Sequence, residues 1–351
     1  MIEQKQHKVN FTPMTENEKE ELKGRIIESV YLYKRRKQRI RYTIGIAATI
    51  TILISIGIFN YESKVSSIND YAKTKKNIDG KNSDKVKLIL SDNQNMVIDE
   101  KNSTITYSNT GQNVKIGNSK SINQSSVNNN KVAYNTLIVP YGTRSKVKLS
   151  DGSMVWLNSG SKLVYPIIFN GNKREVYLEG EAIFEVAHNK DHPFTVMVDN
   201  HEIEVLGTVF NVSNYLDENI VNTTLKSGSI QINYKGNSFF KSKKIFKVSP
   251  GSMASFNKTT SHINSKKVDV EKYFAWKKGI FIFKNDSLEF IMKRLSRYYN
   301  VDIVIEDENI ATQTFSGYLD IRDDVEKVVQ VIKETASFEY NKVTNDKIII
   351  K

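Results

Sequence analysis

The chain has 351 residues, a net charge of +12 and no cysteine. That length holds two or three modest domains, and 39% hydrophobic with 26% charged residues excludes a wholly disordered chain. Without cysteine there is no disulfide and no thiolate metal site, and the excess Lys lies among Asn and Ser, not in an aromatic-spaced basic stripe, so no direct nucleic-acid binding is indicated.

Thr15-Glu16-Asn17-Glu18 has the spacing of a capping box and predicts a helix start. Leu22, Ile26, Val30 and Tyr33 then recur at helical spacing, which reads either as a juxtamembrane stalk or, the reading preferred, as a stripe that docks a partner. A basic cluster follows (Lys34, Arg35, Arg36, Lys37, Arg39, Arg41), and after it comes the one long uncharged apolar run, Tyr42–Phe59. At about 1.5 Å per residue a helix over this run spans roughly 27 Å, close to one hydrocarbon core. Basic residues gather on the cytoplasmic side of a span. A cleaved signal peptide fits less well, because the basic arm before the run is long and no Ala-x-Ala pattern follows it. The reading is a single-pass protein, with residues 1–41 a short cytoplasmic helical arm, 42–59 a transmembrane helix, and the remainder outside. Residues 60–85, rich in Lys, Asn and Ser over Ser63–Ser83, read as a linker.

From Val86 the pattern turns to short alternating runs such as VKLIL, MVWL, EVYL, IEVLG and SIQINY, broken by Asp-Gly, Asn-Gly and Ser-Gly turns. This predicts an all-β domain over 86–268, stacked hairpins in a sandwich or solenoid-like sheet. Leu90-Ser91-Asp92, Met96-Val97 and Tyr107 are echoed by Leu149-Ser150-Asp151, Met154-Val155 and Tyr165. Gly117–Asn135, rich in Asn and Ser, reads as a loop. Residues 269–351 predict a small α+β domain, with helices on one face of a sheet. Its strands lie at Phe281–Phe283, Val301–Ile305, Thr314–Leu319, Phe338–Val343 and Lys347–Ile350, and its helices at Ser287–Tyr299 and Asp323–Ser337. Phe281, Ile282, Phe283 and Ile348, Ile349, Ile350 mark the candidate open edges, where a partner strand can add by β-augmentation.

No catalytic or cofactor signature is present: no Gly-x-Ser-x-Gly elbow, no phosphate-cradling glycine loop, no dinucleotide fingerprint. His188 and His192 flank a loop and read as solvated turn histidines, so no metal site is assigned. Glu179, Glu181 and Glu185 alternate with apolar residues, which places them on the wet face of a strand. Gly207-Thr208 allows one chemical possibility, self-cleavage by attack of the Thr hydroxyl on the preceding carbonyl. The alternative is a glycine kept for close packing.

The ordered strings Thr136-Leu137 with Pro140-Tyr141-Gly142, Leu149-Ser150-Asp151-Gly152-Ser153 with Val155-Trp156-Leu157-Asn158, Arg174 through Ala182 with Phe184-Glu185-Val186, Pro193-Phe194, and Val205-Leu206-Gly207-Thr208 with Phe210-Asn211-Val212 resemble the FecR family, transmembrane anti-sigma regulators of surface signalling. The segment after Phe281 is similar to the family's C-terminal domain, itself similar to the short signalling domain of secretins and TonB-dependent receptors. The resemblance implies an inner-membrane protein, its N-terminus cytoplasmic and its C-terminus periplasmic. It implies a relay from an outer-membrane TonB-dependent transducer to an extracytoplasmic-function (ECF) sigma factor, with no enzymatic activity and no cofactor. The arm is shorter than in relatives, so sigma binding is assigned to Leu22, Ile26 and Val30. Transducer binding is assigned to the two candidate edges. Some relatives self-cleave at the position of Gly207-Thr208. Two other readings stand beside it, a membrane-anchored periplasmic scaffold or binding protein without sigma-factor activity and an anchored enzyme.

Overall fold

The computed structural model describes residues 14–60, 68–74, 85–99, 102–117, 120–124, 132–199, 201–235, 243–336 and 338–351. The chain divides into two units, residues 1–64 and 65–351.

Among the described residues the first unit contains one long helix, α1 (Glu16–Asn60). Thr15 caps it as the sequence predicts. Its backbone N–H and its hydroxyl both donate to the Glu18 carboxylate at 2.9 Å, which satisfies donors that a helix start leaves unpaired. Glu16–Lys19 and Glu21–Arg25 pairs lie along the exposed surface. Among the described residues no helix is long and apolar enough to cross a membrane, the side chains of residues 56–60 lying outside that description.

The second unit begins with α2 (Ile68–Thr74). The strands that follow are β1 (Val86–Ile89), β2 (Asn95–Ile98), β3 (Asn102–Tyr107), β4 (Asn113–Ile116), β5 (Lys120–Asn123), β6 (Tyr134–Val139), β7 (Arg144–Lys148), β8 (Met154–Leu157) and β9 (Ser161–Pro166). After them come β10 (Arg174–Glu185), β11 (Phe194–Val198), β12 (His201–Val205), β13 (Val209–Asn214), β14 (Ile220–Ser227), β15 (Ile230–Lys235), β16 (Lys243–Val248), β17 (Ser252–Asn257) and β18 (Ile263–Lys267).

These strands form two layers that share β10. One runs β2-β1-β6-β9-β10-β11-β12-β15-β16. The other runs β5-β4-β3-β7-β8-β10-β13-β14-β17-β18. The first half of β10 pairs with β9 and β11, and its second half, from Gly180, with β8 and β13. Gly180 sits at the crossing with φ +88°, and a Cβ there would lie 2.6 Å from the Gly160 carbonyl oxygen. Only glycine satisfies both demands. Leu88, Leu137, Leu163 and Leu178 of the first layer meet Val147, Val155, Phe184 and Phe210 of the second in one core with no exposed surface. Full burial of each large apolar side chain contributes about 1.5–3 kcal/mol.

The sequence echo is a repeated hairpin turn. Leu90 donates to Gln94 and accepts from Asn93, and Leu149 does the same with Ser153 and Gly152, all at 2.9–3.0 Å. Asp92 and Asp151 each accept a backbone N–H two residues on. The echoed Tyr107 and Tyr165 meet inside the sandwich, their hydroxyls 2.9 Å apart.

Two expectations are corrected here. The linker over 60–85 contains α2, whose buried Ile68 and Ala72 pack with Tyr134, Val164 and Tyr177 on the outer face of the first layer; residues 61–67 and 75–84 lie outside the described residues. That cover is why β6 and β9 are buried at every position instead of alternating. The loop predicted over Gly117–Asn135 contains β5, an edge strand paired with β4; residues 118–119 and 125–131 lie outside the described residues.

After β18 come α3 (Glu271–Phe274), a 3-10 turn (Ala275–Lys278), β19 (Ile280–Ser287), α4 (Leu288–Tyr299), β20 (Asp302–Ile305), α5 (Glu308–Thr312), β21 (Thr314–Asp320), α6 (Val325–Thr335), β22 (Tyr340–Thr344) and β23 (Lys347–Ile350). Ser287 and Asp324 cap α4 and α6 by accepting the N–H of Phe290 and Lys327. The strands form two sheets, β19-β21 and β20-β23-β22, where the sequence predicted one. Leu288, Ile291, Met292 and Leu295 of α4 and Val328, Val329 and Ile332 of α6 share a core with Phe281 of one sheet and Ile348 and Ile350 of the other. Two helical faces thus serve both sheets.

Candidate functional site

In the N-terminal helix, Leu22, Ile26 and Val30 fall on one face and are 46%, 53% and 46% exposed. Apolar side chains so exposed at i, i+4, i+8 on a capped helix form the kind of stripe a partner groove receives. The basic residues Lys34–Arg41 continue the same helix, also exposed.

The candidate edges of the α+β domain fare differently. Phe281, Ile282 and Phe283 are 2%, 7% and 3% exposed, and Ile348 and Ile350 are buried too; Phe281, Phe283, Ile348 and Ile350 belong to the domain's core. Lys347–Ile350 is not an edge. β23 pairs in parallel with β20 and antiparallel with β22, so it is the central strand. A parallel pairing across a long separation leaves no local trace in the sequence. In that sheet the unpaired edges belong to β20 and β22. β19 keeps an edge opposite β21.

The sandwich and the α+β domain are joined by contacts the sequence did not reveal. Ile183, Trp156 and Val209 of the sandwich pack into the α+β core. Arg297 of α4, its side chain 6% exposed, donates to Asp217 at 2.8 and 3.0 Å and to Glu218 at 2.7 Å, with its guanidinium 3.7 Å from the centre of the Tyr215 ring. Asp217 is partly desolvated, yet Arg297 and Lys293 hold its carboxyl below the usual range. The Arg297 carbonyl in turn accepts the Gly142 N–H at 2.9 Å.

Beside this clamp lies a narrow cleft of about 40 Å³, lined in part by Glu181, Tyr215, Arg294 and Arg297. Glu181 is 5% exposed and accepts from the side-chain amides of Asn158 at 2.8 Å and Asn211 at 3.0 Å. The wet-face reading of Glu181 is therefore corrected. The strand changes layers at Gly180, and the α+β domain covers the face beyond. Glu179 pairs with Lys162 at 2.9 Å, and Glu185 with Lys277 at 3.0 Å.

Gly207-Thr208 lies between β12 and β13. The Thr208 hydroxyl donates to the Ser229 carbonyl at 3.0 Å, and the Thr208 carbonyl accepts from Val186. A Cβ on Gly207 would lie 2.8 Å from the His188 Cα, and one on Gly228 2.8 Å from the Gly207 oxygen. Close packing accounts for the glycine.

His188 and His192 are exposed, as read. His201 is 3% exposed in β12, with neither ring nitrogen partnered among the described residues, its ring 4.4 Å from that of Phe256. Burial, helped by Lys258, pushes its pKa down to about 3. Among the described residues no group of three or more His, Asp or Glu side chains is placed to hold a metal ion.

Residues 135–231, from β6 into β15, match the family model described as FecR protein. Residues 280–350, from β19 to β23, match the model described as FecR, C-terminal. Two crystal structures, each described as of an anti-sigma factor from Parabacteroides distasonis ATCC 8503, at 1.65 and 2.50 Å, are similar to this chain. They share 27% and 28% sequence identity with it at a TM-score of 0.55, each match covering 62% of this chain and 98% of that one. No curated protein matches.

Proposed function

Starting from a chain that belongs to the FecR family and is an anti-sigma regulator, we propose that it relays a signal across one membrane to an ECF sigma factor. Residues 1–41 form the cytoplasmic arm and Tyr42–Phe59 the span, with residues 65–351 in the periplasm. The arm holds the sigma factor against Leu22, Ile26 and Val30. The α+β domain receives the signalling domain of an outer-membrane TonB-dependent transducer along an unpaired edge of β19, β20 or β22, through main-chain hydrogen bonds. The core side chains of β19 and β23 are buried, so in this reading the transducer meets main chain and not those residues.

The observation that carries this reading is the exposed stripe Leu22, Ile26, Val30 on a capped helix that continues through the basic cluster into the apolar run. The packed and ion-paired join between sandwich and α+β domain supports it, because it connects the domain proposed to meet the transducer to the rest of the unit. The test is sigma-dependent transcription in cells carrying the full-length chain or a Leu22→Ala/Ile26→Ala/Val30→Ala variant at equal abundance. The reading predicts that the variant loses control of the sigma factor. Unchanged control refutes the assigned stripe.

A further inference from the structure

A second cleft, of about 370 Å³ and open to solvent, lies where β7, the 3-10 turn and the loop after β21 converge. Five cations line it: Arg144 and Lys146 from β7, Lys277 and Lys278 from the turn, and Arg322 beyond β21. Two have carboxylate partners, Lys277 with Glu185 and Arg322 with Asp320. Arg144, Lys146 and Lys278 form no ion pair among the described residues. Like charges gathered in a cleft with low-dielectric walls raise the local potential and concentrate anions there.

Four of the five cations are held in place by contacts around the cleft. Arg144 donates to the Trp276 carbonyl at 3.1 Å, and its guanidinium carbon lies 4.6 Å from the centre of the Tyr298 ring. Lys146 and Lys277 stand 5.1 and 4.6 Å from the centre of the Trp156 ring. Gly279 has φ +77°, and a Cβ there would lie 2.7 Å from the Arg322 Cγ, so glycine lets Arg322 lie across the turn. One wall belongs to the sandwich and the other to the α+β domain.

We propose that this cleft binds a compact polyanion, a ligand with closely spaced oxyanions of phosphoryl or clustered carboxylate type, and that the bound ligand ties the α+β domain to the sandwich. Recognition rests on charge and hydrogen bonding. The Trp156 ring already engages two ammonium groups and is not offered for stacking. This site is independent of sigma-factor docking, since none of its residues lies in the N-terminal unit.

The test is calorimetric titration of the full-length chain in neutral detergent at about 0.15 M salt, with inorganic pyrophosphate and, separately, triglutamate. The proposal predicts saturable one-site binding of at least one probe, and the stronger binder tells phosphoryl from carboxylate chemistry. Each lost charge-assisted hydrogen bond weakens binding roughly tenfold, so Lys146→Gln/Lys278→Gln weakens it about a hundredfold. Lys244→Gln/Lys247→Gln on β16, with the same change in net charge and both residues exposed, leaves binding within about twofold, as expected of screened distant charges. No saturable binding of either probe overturns the proposal, and so does equal weakening by the two double variants, which would reduce the effect to overall charge.

Discussion

His201 makes the stability of the sandwich fall in mild acid by a calculable amount. The imidazole is buried against Phe256, with Lys258 nearby and neither nitrogen partnered among the described residues, and its pKa falls to about 3. The unfolded chain binds the proton at about pH 6.5. The folded state therefore binds fewer protons below that pH, and stability present above pH 6.5 is lost as the pH falls toward 3. Each pH unit in this window costs about 1.4 kcal/mol, so about 2 kcal/mol is gone by pH 5. His201→Leu replaces the ring with an apolar side chain of similar size and removes two buried unpaired nitrogens. Denaturant unfolding of both proteins, followed by the fluorescence of Trp156 and Trp276, gives the difference at each pH and cancels the carboxylates common to both. The variant should match or exceed wild type at pH 7.5 and gain about 2 kcal/mol on it by pH 5. A constant difference from pH 7.5 to pH 5 would refute the argument that this histidine folds neutral.

Arg297→Met removes the clamp while keeping most of the side-chain volume. It leaves Glu218 half covered, and is expected to cost about 2–3 kcal/mol, below the range for fully buried pairs because Asp217 is exposed. Wild-type unfolding free energy in this variant would dismiss the clamp. With its hydroxyl donating to Ser229, Thr208 is predicted to leave the chain uncut. A purified wild-type chain should run as one band, and fragments ending at Gly207, absent in Thr208→Ala, would reverse that assignment. Gly207→Ala, forced within 2.8 Å of His188, should lower the melting temperature of the sandwich, and an unchanged melting temperature would contradict the packing role. Since the chain has no cysteine, single cysteines report topology cleanly: in spheroplasts an impermeant maleimide should label Ser265→Cys and not Ser29→Cys, and the opposite pattern would invert the proposed orientation.

Much of the architecture is legible in local chemistry. The two Leu-Ser-Asp turns announce their hairpins because Asp caps the turn and Asn93 or Gly152 takes the positive φ it requires. Helices α4 and α6 show their buried faces through spacing alone, and Thr15 and Glu18 mark the start of α1. What stayed hidden depends on distant partners. Glu181 alternates like a wet-face residue, and only the layer change at Gly180 and the covering α+β domain bury it. Lys347–Ile350 reads as a terminal strand, yet β20 returns to pair with its far side. Helix α2 is too short for periodicity, and two buried side chains, Ile68 and Ala72, fix it to the sandwich. The joint between domains rests on Arg297, Asp217 and Glu218, ordinary charged residues until the fold brings them together.

The account turns on whether the N-terminal arm holds a sigma factor. The direct measurement is purification of the tagged full-length protein from its native membrane, beside the Leu22→Ala/Ile26→Ala/Val30→Ala variant, with identification of the proteins that come with each. The account predicts a sigma factor with the wild type and its loss from the variant, while periplasmic and outer-membrane partners are retained by both. Recovery of those outer partners with no sigma factor from the wild type would contradict it and leave an anchored periplasmic scaffold in its place.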